Sequence, residues 1–245
     1  MLIAALGAAD VMWVDAASFA VSAAVIGSIR VARPAREQAE DAAGVIAGLR
    51  YLRRDTLLLR VSLSSLLFGF MFPMLAASFP VLAYEQYHRN PRVAGLLFAV
   101  VGAGQVLGSL LTYRLVTRVR PMLLAALAAL GTGPPLWILV PHTPIWLVGS
   151  ALAVVGASVP LINAPYIGML QTRVPSALRG HVLQALVTIN QLLGPAGYVL
   201  AGVLFAAIGL HATYAAMAVL GTFATLNFVV AVLPMVGGPV AQEAA

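Results

Sequence analysis

The chain has 245 residues, of which 61% are hydrophobic and only 9% are charged. An average soluble domain carries about 25% charged residues, so this composition excludes a soluble globular protein and indicates an integral membrane protein. There is no cysteine, which excludes disulfides, thiol nucleophiles and thiolate metal sites. All 14 basic residues are arginine, and together with 8 acidic residues they give a formal net charge of +6.

Seven stretches are long and apolar enough to cross a bilayer as helices, which takes about 20 residues each. In chain order they cover approximately 11–29, 61–84, 93–113, 121–140, 145–169, 182–208 and 212–233. Each is too long and too continuously apolar for a barrel strand, which would alternate over about 10 residues. The sequence therefore predicts an all-α membrane protein with about seven transmembrane helices.

The stretches divide the chain into four parts. Residues 1–29 hold the end of a preceding helix, an external loop and one transmembrane helix, and residues 30–60 form a basic linker. Residues 61–233 form a six-helix bundle, followed by a tail at 234–245. Within the linker, residues 41–54 are expected to form a surface helix with arginines on one side and apolar residues on the other.

Arginine is distributed unevenly among the predicted loops. Residues 30–60, 114–120 and 171–181 carry seven, three and two arginines, whereas the alternate loops carry two in total, both in 85–92. The positive-inside rule places the arginine-rich loops in the cytoplasm, so the N-terminus is external and the C-terminus cytoplasmic. Because topology explains the basic charge, no nucleic-acid partner is expected. The location is the cell membrane, with the lipid bilayer as a partner.

A short internal repeat suggests how the chain is built. Residues 1–7 and 203–209 share leucine, two alanines and glycine at equivalent positions, 202 residues apart. In each copy a short external loop and one spanning helix follow. This favours the second part of a protein with two parallel repeats, which is a transporter architecture. The expected partner is therefore a missing N-terminal half.

Four segments carry a resemblance to a known family. They are VDAASF at 14–19, GLRYLRR at 48–54, the glycine-rich stretch at 95–108 and RVPSALRG at 173–180. With these segments the chain resembles the major facilitator superfamily from its sixth to its twelfth helix, and in particular the bacterial efflux branch that includes enterobactin and macrolide exporters. The resemblance implies a secondary transporter that exports a small-molecule substrate by alternating access, with proton coupling.

The resemblance has departures. His181 stands where the family usually has arginine after the RVPSALRG-type segment. The loop after the eighth helix keeps the basic residues Arg114 and Arg118 without an acid, so a gate charge pair there is not implied. Gly194, Pro195 and Gly197 are similar to the pseudo-symmetric counterpart of the antiporter motif in the fifth helix.

Two sets of polar residues are candidates for a substrate pathway. Asp15, Ser18 and Ser22 are spaced at i, i+3 and i+7, so they share one helix face. A charge near the bilayer centre costs at least ~2.5 kcal/mol, which favours a functional proton or cation site. The alternative is an acid near a helix N-terminus, where the helix dipole stabilises it and water reaches it.

The second set lies in the sixth predicted span, at helical spacing. It consists of Gln184, Thr188, Gln191, Pro195 and Tyr198. Lipid would penalise exposed amides, so this face is predicted to point inward, where it either lines a polar cavity or bonds to a neighbouring helix. Asn190 points about 100° away and is expected to lie off the pathway. Asn163 and Gln105 are expected to bond structurally.

Gly104 and Gly108 form a small-xxx-small pair and are expected to pack two helices closely. Pro73 and Pro80 predict a kink or a hinge in the second span. A hinge or packing role is also expected for the glycines and proline of the Gly194–Gly197 segment.

The sequence does not predict an enzyme. It has no glycine-rich phosphate loop, no plausible catalytic triad and no two histidines with zinc-like spacing, so neither a cofactor nor a metal is expected. The main alternative to a transporter is a seven-helix membrane receptor, which has the same topology. The absence of lysine excludes a retinal Schiff base, and a receptor would not explain the repeat.

Overall fold

The computed structural model describes residues 8–28, 41–88 and 90–236. In these ranges all regular structure is helical, which confirms the predicted all-α fold. The elements are α1 (Ala8–Ser28), α2 (Asp41–Arg54), α3 (Thr56–Glu85), α4 (Pro91–Leu115), α5 (Pro121–Ala129), a 3-10 helix (Pro134–Leu139), α6 (Ile145–Arg173) and α7 (Ser176–Val236). The chain divides into two units, residues 1–40 with α1 and residues 41–245 with α2 to α7.

Five helical segments in the described ranges are long and apolar enough to cross a membrane: α3, α4, 121–139, α6 and α7. The last has 61 residues, about three times the length of roughly 20 residues that a bilayer requires. It is interrupted at Gly209, where φ is 78° and ψ is 174°, a conformation that glycine adopts at little cost. The second unit therefore supplies six spans, and α7 forms two of them.

The span predicted at 121–140 is confirmed as a candidate span at 121–139, but its helix is not continuous. The α-helix ends at Ala129, and a 3-10 helix begins at Pro134. Prolines at 134 and 135 have no N–H groups, so the carbonyls four residues earlier lose their helical donors. The hydroxyl Oγ1 atoms of Thr132 and Thr225 donate to the Ala129 carbonyl at 2.6 and 3.1 Å, which satisfies the end of the helix.

Helices α4 and α6 approach each other closely at glycine positions. A Cβ atom built at Gly104 would overlap the carbonyl oxygen of Ala153, and one at Gly108 would overlap that of Ala157. Gly156 on α6 meets the carbonyl of Val101 in the same way. The absence of side chains lets the two backbones touch, as in small-xxx-small packing.

Helix α2 has the bounds expected for the surface helix, but it docks onto the bundle. Leu52 is 4% exposed, and Gly48 lies against the backbone of His181 and Val182 at the start of α7. The arginines of its last turns are exposed. Asp55 then caps α3, because its Oδ1 accepts hydrogen bonds from two backbone N–H groups of the first turn at 2.9 and 3.2 Å.

Candidate functional site

A cavity of about 270 Å³ lies between α3, α6 and both segments of α7. Its polar lining comes from Ser65, Thr132, Asn163, Tyr166 and Asn190. Asn163 and Asn190 lie near the midpoints of α6 and of the first segment of α7, so the cavity is at mid-depth in the bundle. Transporter sites typically lie at this level.

The remaining walls are largely apolar and aromatic. Phe68 and Phe72 come from α3, and their ring centroids are 6.4 Å apart. Ile162 and Phe228 close the cavity from α6 and from the second segment of α7. Apolar walls with a few polar groups are typical of sites for small organic molecules.

The amide of Asn190 is held between its own helix and α3. Its Nδ2 donates to the carbonyl of Leu186 at 3.0 Å. Its Oδ1 lies at Gly69, where a Cβ atom would overlap it. Asn190, which the sequence places off the predicted pathway, lines this cavity.

Asn163 is the exposed polar residue of the cavity. Its side chain makes no hydrogen bond with any other described residue, so the expected structural bonding has no partner among them. Its neighbour Tyr166 is buried, and the Tyr166 hydroxyl lies 3.4 Å from Ser62 Oγ. An amide that offers two donors and an acceptor at the opening of a cavity can bind a polar ligand group.

The polar face predicted in the sixth span lies on the uncovered side of α7. Gln184, Gln191 and Tyr198 are exposed, and Thr188 is half-buried. The Nε2 of Gln184 donates to Thr188 Oγ1 at 3.4 Å, within the same helix. No other helix in the described part of the second unit covers this face. The sequence left two interpretations of this face, a polar cavity lining or bonding to a neighbouring helix. The second has no partner helix in the described part of the second unit.

The two glycines of the candidate hinge on α7 have different surroundings. A Cβ at Gly194 would meet nothing within 4 Å, and Pro195 is exposed. Gly197 is buried against the carbonyl of Phe70, and its Cβ would lie 3.3 Å from Cβ of Pro73. Gly197 is thus a packing position between α7 and α3.

The candidate set on α1 belongs to the first unit. Ser18 and Ser22 are exposed, and Ser22 Oγ donates to the carbonyl of Ser18 at 2.9 Å. The side chain of Asp15 lies outside the described part of the structure, as do residues 1–7 of the internal repeat.

An ion pair joins the ends of α6 and α3. Arg173 Nε donates to Asp55 Oδ2 at 2.7 Å. Burial raises the pKa of Asp55, but hydrogen bonds from Arg173 and from two backbone N–H groups, together with the guanidinium charge, lower it below its usual value. Nothing in the sequence pattern relates these two residues, which lie 118 positions apart.

An all-α bundle of membrane-length helices defines a multi-pass membrane protein. Residues 1–198 match the Major Facilitator Superfamily. The chain belongs to this superfamily.

Three curated relatives show the extent of the match. The chain is 31% identical over 228 residues to the multidrug efflux pump Tap of Mycolicibacterium fortuitum, which covers 89% of the chain and 54% of that protein. It is 28% identical over 226 residues to Tap of Mycobacterium tuberculosis H37Rv, covering 89% and 53%. It is 28% identical over 211 residues to the MFS-type transporter YfiS of Bacillus subtilis strain 168, covering 80% and 50%. The chain thus spans about half the length of these relatives. No solved structure matches the chain significantly.

Proposed function

We propose that the chain is the C-terminal part of a secondary transporter that exports small, largely apolar organic molecules from the cell by alternating access. The cavity between α3, α6 and α7 carries the proposal, because it joins aromatic walls to amides at mid-depth. Membership of the superfamily supports a transporter rather than an enzyme. The relatives named as multidrug efflux pumps support export of drug-like compounds.

In this proposal the bundle supplies one wall of the transport pathway. Phe68 and Phe72 contact the apolar body of the substrate, and the amides of Asn163 and Asn190 bind its polar groups. The uncovered face with Gln184 and Gln191 is directed toward a second bundle, which the N-terminal half of the full protein provides. Lipid would be a costly neighbour for these amides.

The proposed orientation has an external N-terminus and a cytoplasmic C-terminus. The uneven distribution of arginine among the loops supports it. The ion pair of Asp55 with Arg173 then lies at the cytoplasmic end, and the turn at Gly209 lies at the external end. Proton coupling follows the family resemblance, and Asp15 is the acid that we assign to it.

The proposal can be tested with a chimera. The chain is fused to the part of the M. fortuitum pump that it does not match, and ethidium efflux is measured in cells. We expect Asn163→Ala to raise the KM roughly tenfold at normal protein levels, since an unpaired polar partner costs ~1–3 kcal/mol.

Asn227→Ala is the matched control. The Nδ2 of Asn227 donates to the carbonyl of Arg60 and to Ser64 Oγ, both at 2.9 Å, so its bonds lie within the bundle. This variant should lower the folded yield and leave the KM unchanged. If Asn163→Ala behaves like Asn227→Ala, the cavity is not the substrate site.

A further inference from the structure

Two histidines meet at the end of the bundle where α3 ends and α7 turns. His142 lies in the loop before α6, and His211 follows the break at Gly209. Their ring centroids are 4.8 Å apart, with an interplanar angle of 35°. Gln86 at the end of α3 places its amide nitrogen 3.4 Å from Nε2 of His211. Three separate parts of the chain thus bring two imidazoles and an amide together.

The orientation of His211 is fixed by the loop that carries His142. Nδ1 of His211 lies 2.6 Å from the carbonyl oxygen of Val140. A carbonyl can only accept, so Nδ1 carries the proton and the neutral ring has its lone pair on Nε2. A backbone carbonyl that holds the other ring nitrogen is the usual outer-shell arrangement of a metal-bound histidine. The Tyr87 hydroxyl donates to the Thr143 carbonyl at 2.8 Å and secures the same loop.

We propose that His142 and His211 bind a divalent transition-metal ion such as Zn²⁺ or Cu²⁺, with the amide oxygen of Gln86 as a third ligand and water completing the shell. A Zn–N bond is about 2.0–2.1 Å long, so rings whose centroids are 4.8 Å apart are near enough to share one ion once their side chains rotate to aim a nitrogen at it. His142 is exposed, which opens the site to solvent. The amide of Gln86 must turn to present its oxygen.

The ligand set predicts a reversible site. Within the described ranges no group of three or more histidines, cysteines, aspartates or glutamates could hold a metal ion, so this site depends on two imidazoles and a neutral amide. Such a set prefers Cu²⁺ over Zn²⁺ and Ni²⁺, and it discriminates against Mg²⁺, which prefers carboxylate and water ligands. A bound ion ties the end of α3 to the two loops and stabilises that end of the bundle. The proposal does not depend on transport.

The test uses the purified full chain in detergent, titrated with Zn²⁺ or Mg²⁺ while thermal unfolding is followed. Zn²⁺ should raise the unfolding temperature of the wild type, and Mg²⁺ should not. His142→Gln and His211→Gln should each weaken Zn²⁺ binding by more than the ~10–100-fold that loss of an outer-shell partner costs. His181→Gln, an exposed histidine at the start of α7, should bind like the wild type. Unchanged binding in both test variants, or equal shifts with Mg²⁺, would overturn the proposal.

A second measurement needs no substitution and so does not depend on how the variants fold. The electron paramagnetic resonance spectrum of Cu²⁺ added at one equivalent to the wild-type chain should show hyperfine coupling to two imidazole nitrogens. Oxygen-only ligation would show that the two rings merely stack, and would contradict the assignment.

Discussion

Gly69 and Asn190 fit together across the contact between α3 and α7: a Cβ atom at residue 69 would occupy the place of the Asn190 amide oxygen. The amide therefore lines the cavity because residue 69 has no side chain. This relationship fixes where the polar group of α7 can meet a ligand.

We expect Gly69→Ala to displace the Asn190 amide and to raise the KM of the chimera for ethidium by roughly tenfold, in line with the loss of one buried hydrogen bond. The control is Gly168→Ala on α6, where a Cβ would meet nothing within 4 Å. Equal KM values for the two variants would show that the position of the Asn190 amide is unimportant.

Two glycines of α4 should differ in how their replacement by alanine changes the stability of the chain. Gly108→Ala forces a methyl group against the carbonyl of Ala157 and should destabilise the chain by ~1–3 kcal/mol. Gly102→Ala meets nothing within 4 Å and should be neutral or stabilising by up to ~1 kcal/mol, because alanine restricts the unfolded chain. Thermal unfolding in detergent measures both. A stable Gly108→Ala variant would mean that α4 and α6 are not in close contact.

Asp55 serves both as a helix cap and as an ion-pair partner, and two substitutions separate these roles. Asp55→Ala removes both and should cost ~1 kcal/mol or somewhat more, mainly through the cap. Asp55→Asn keeps a capping oxygen and should cost less, because Arg173 is 44% exposed and solvent screens the pair. The free energy of unfolding of each variant tests this order, and nearly equal costs for the two variants would show that the charge stabilises the fold more than the cap does.

The same residue predicts a pH dependence. The folded pKa of Asp55 is lowered, so its contribution to stability is present at neutral pH and is lost as the pH falls below the usual carboxyl range of about 4. Unfolding measured from pH 7 to pH 3 should therefore show a smaller loss of stability in Asp55→Asn than in the wild type. Identical pH profiles would show that the ionised Asp55 does not contribute to stability.

The proposed topology predicts a simple labelling pattern, because the chain has no cysteine of its own. His142→Cys places a thiol at an exposed position just before α6. Ser176→Cys places one at an exposed position just after the other end of α6, where α7 begins. A membrane-impermeant maleimide should label residue 142 in intact cells and residue 176 only after permeabilisation. The reverse pattern would invert the orientation.

Hydropathy predicted the helices well, because length and apolar composition decide whether a segment crosses a bilayer. It missed the break after Ala129, although Gly131, Gly133 and the two prolines stand in the sequence. Apolar composition predicts whether a segment is stable in the bilayer. It does not predict whether the backbone stays helical, which here depends on these four residues.

The site was harder to predict for a geometric reason. Helical spacing shows which residues share a face, as Gln184 and Gln191 do, but it does not show which face the neighbouring helices cover. Asn163 and Asn190 line the cavity through the packing of α3, α6 and α7, which no single helix encodes. The meeting of His142 with His211 has the same origin, since 69 residues separate them in the chain.

A substrate that occupies the cavity beside Asn163 should protect residue 163 from alkylation. In the chimera, Asn163→Cys and Ser176→Cys are each reacted with a maleimide in the presence and absence of ethidium. Ethidium should slow alkylation at residue 163 and leave the rate at residue 176 unchanged. If ethidium is exported by the chimera but alkylation at residue 163 proceeds at the same rate with and without it, the cavity is not where the substrate binds.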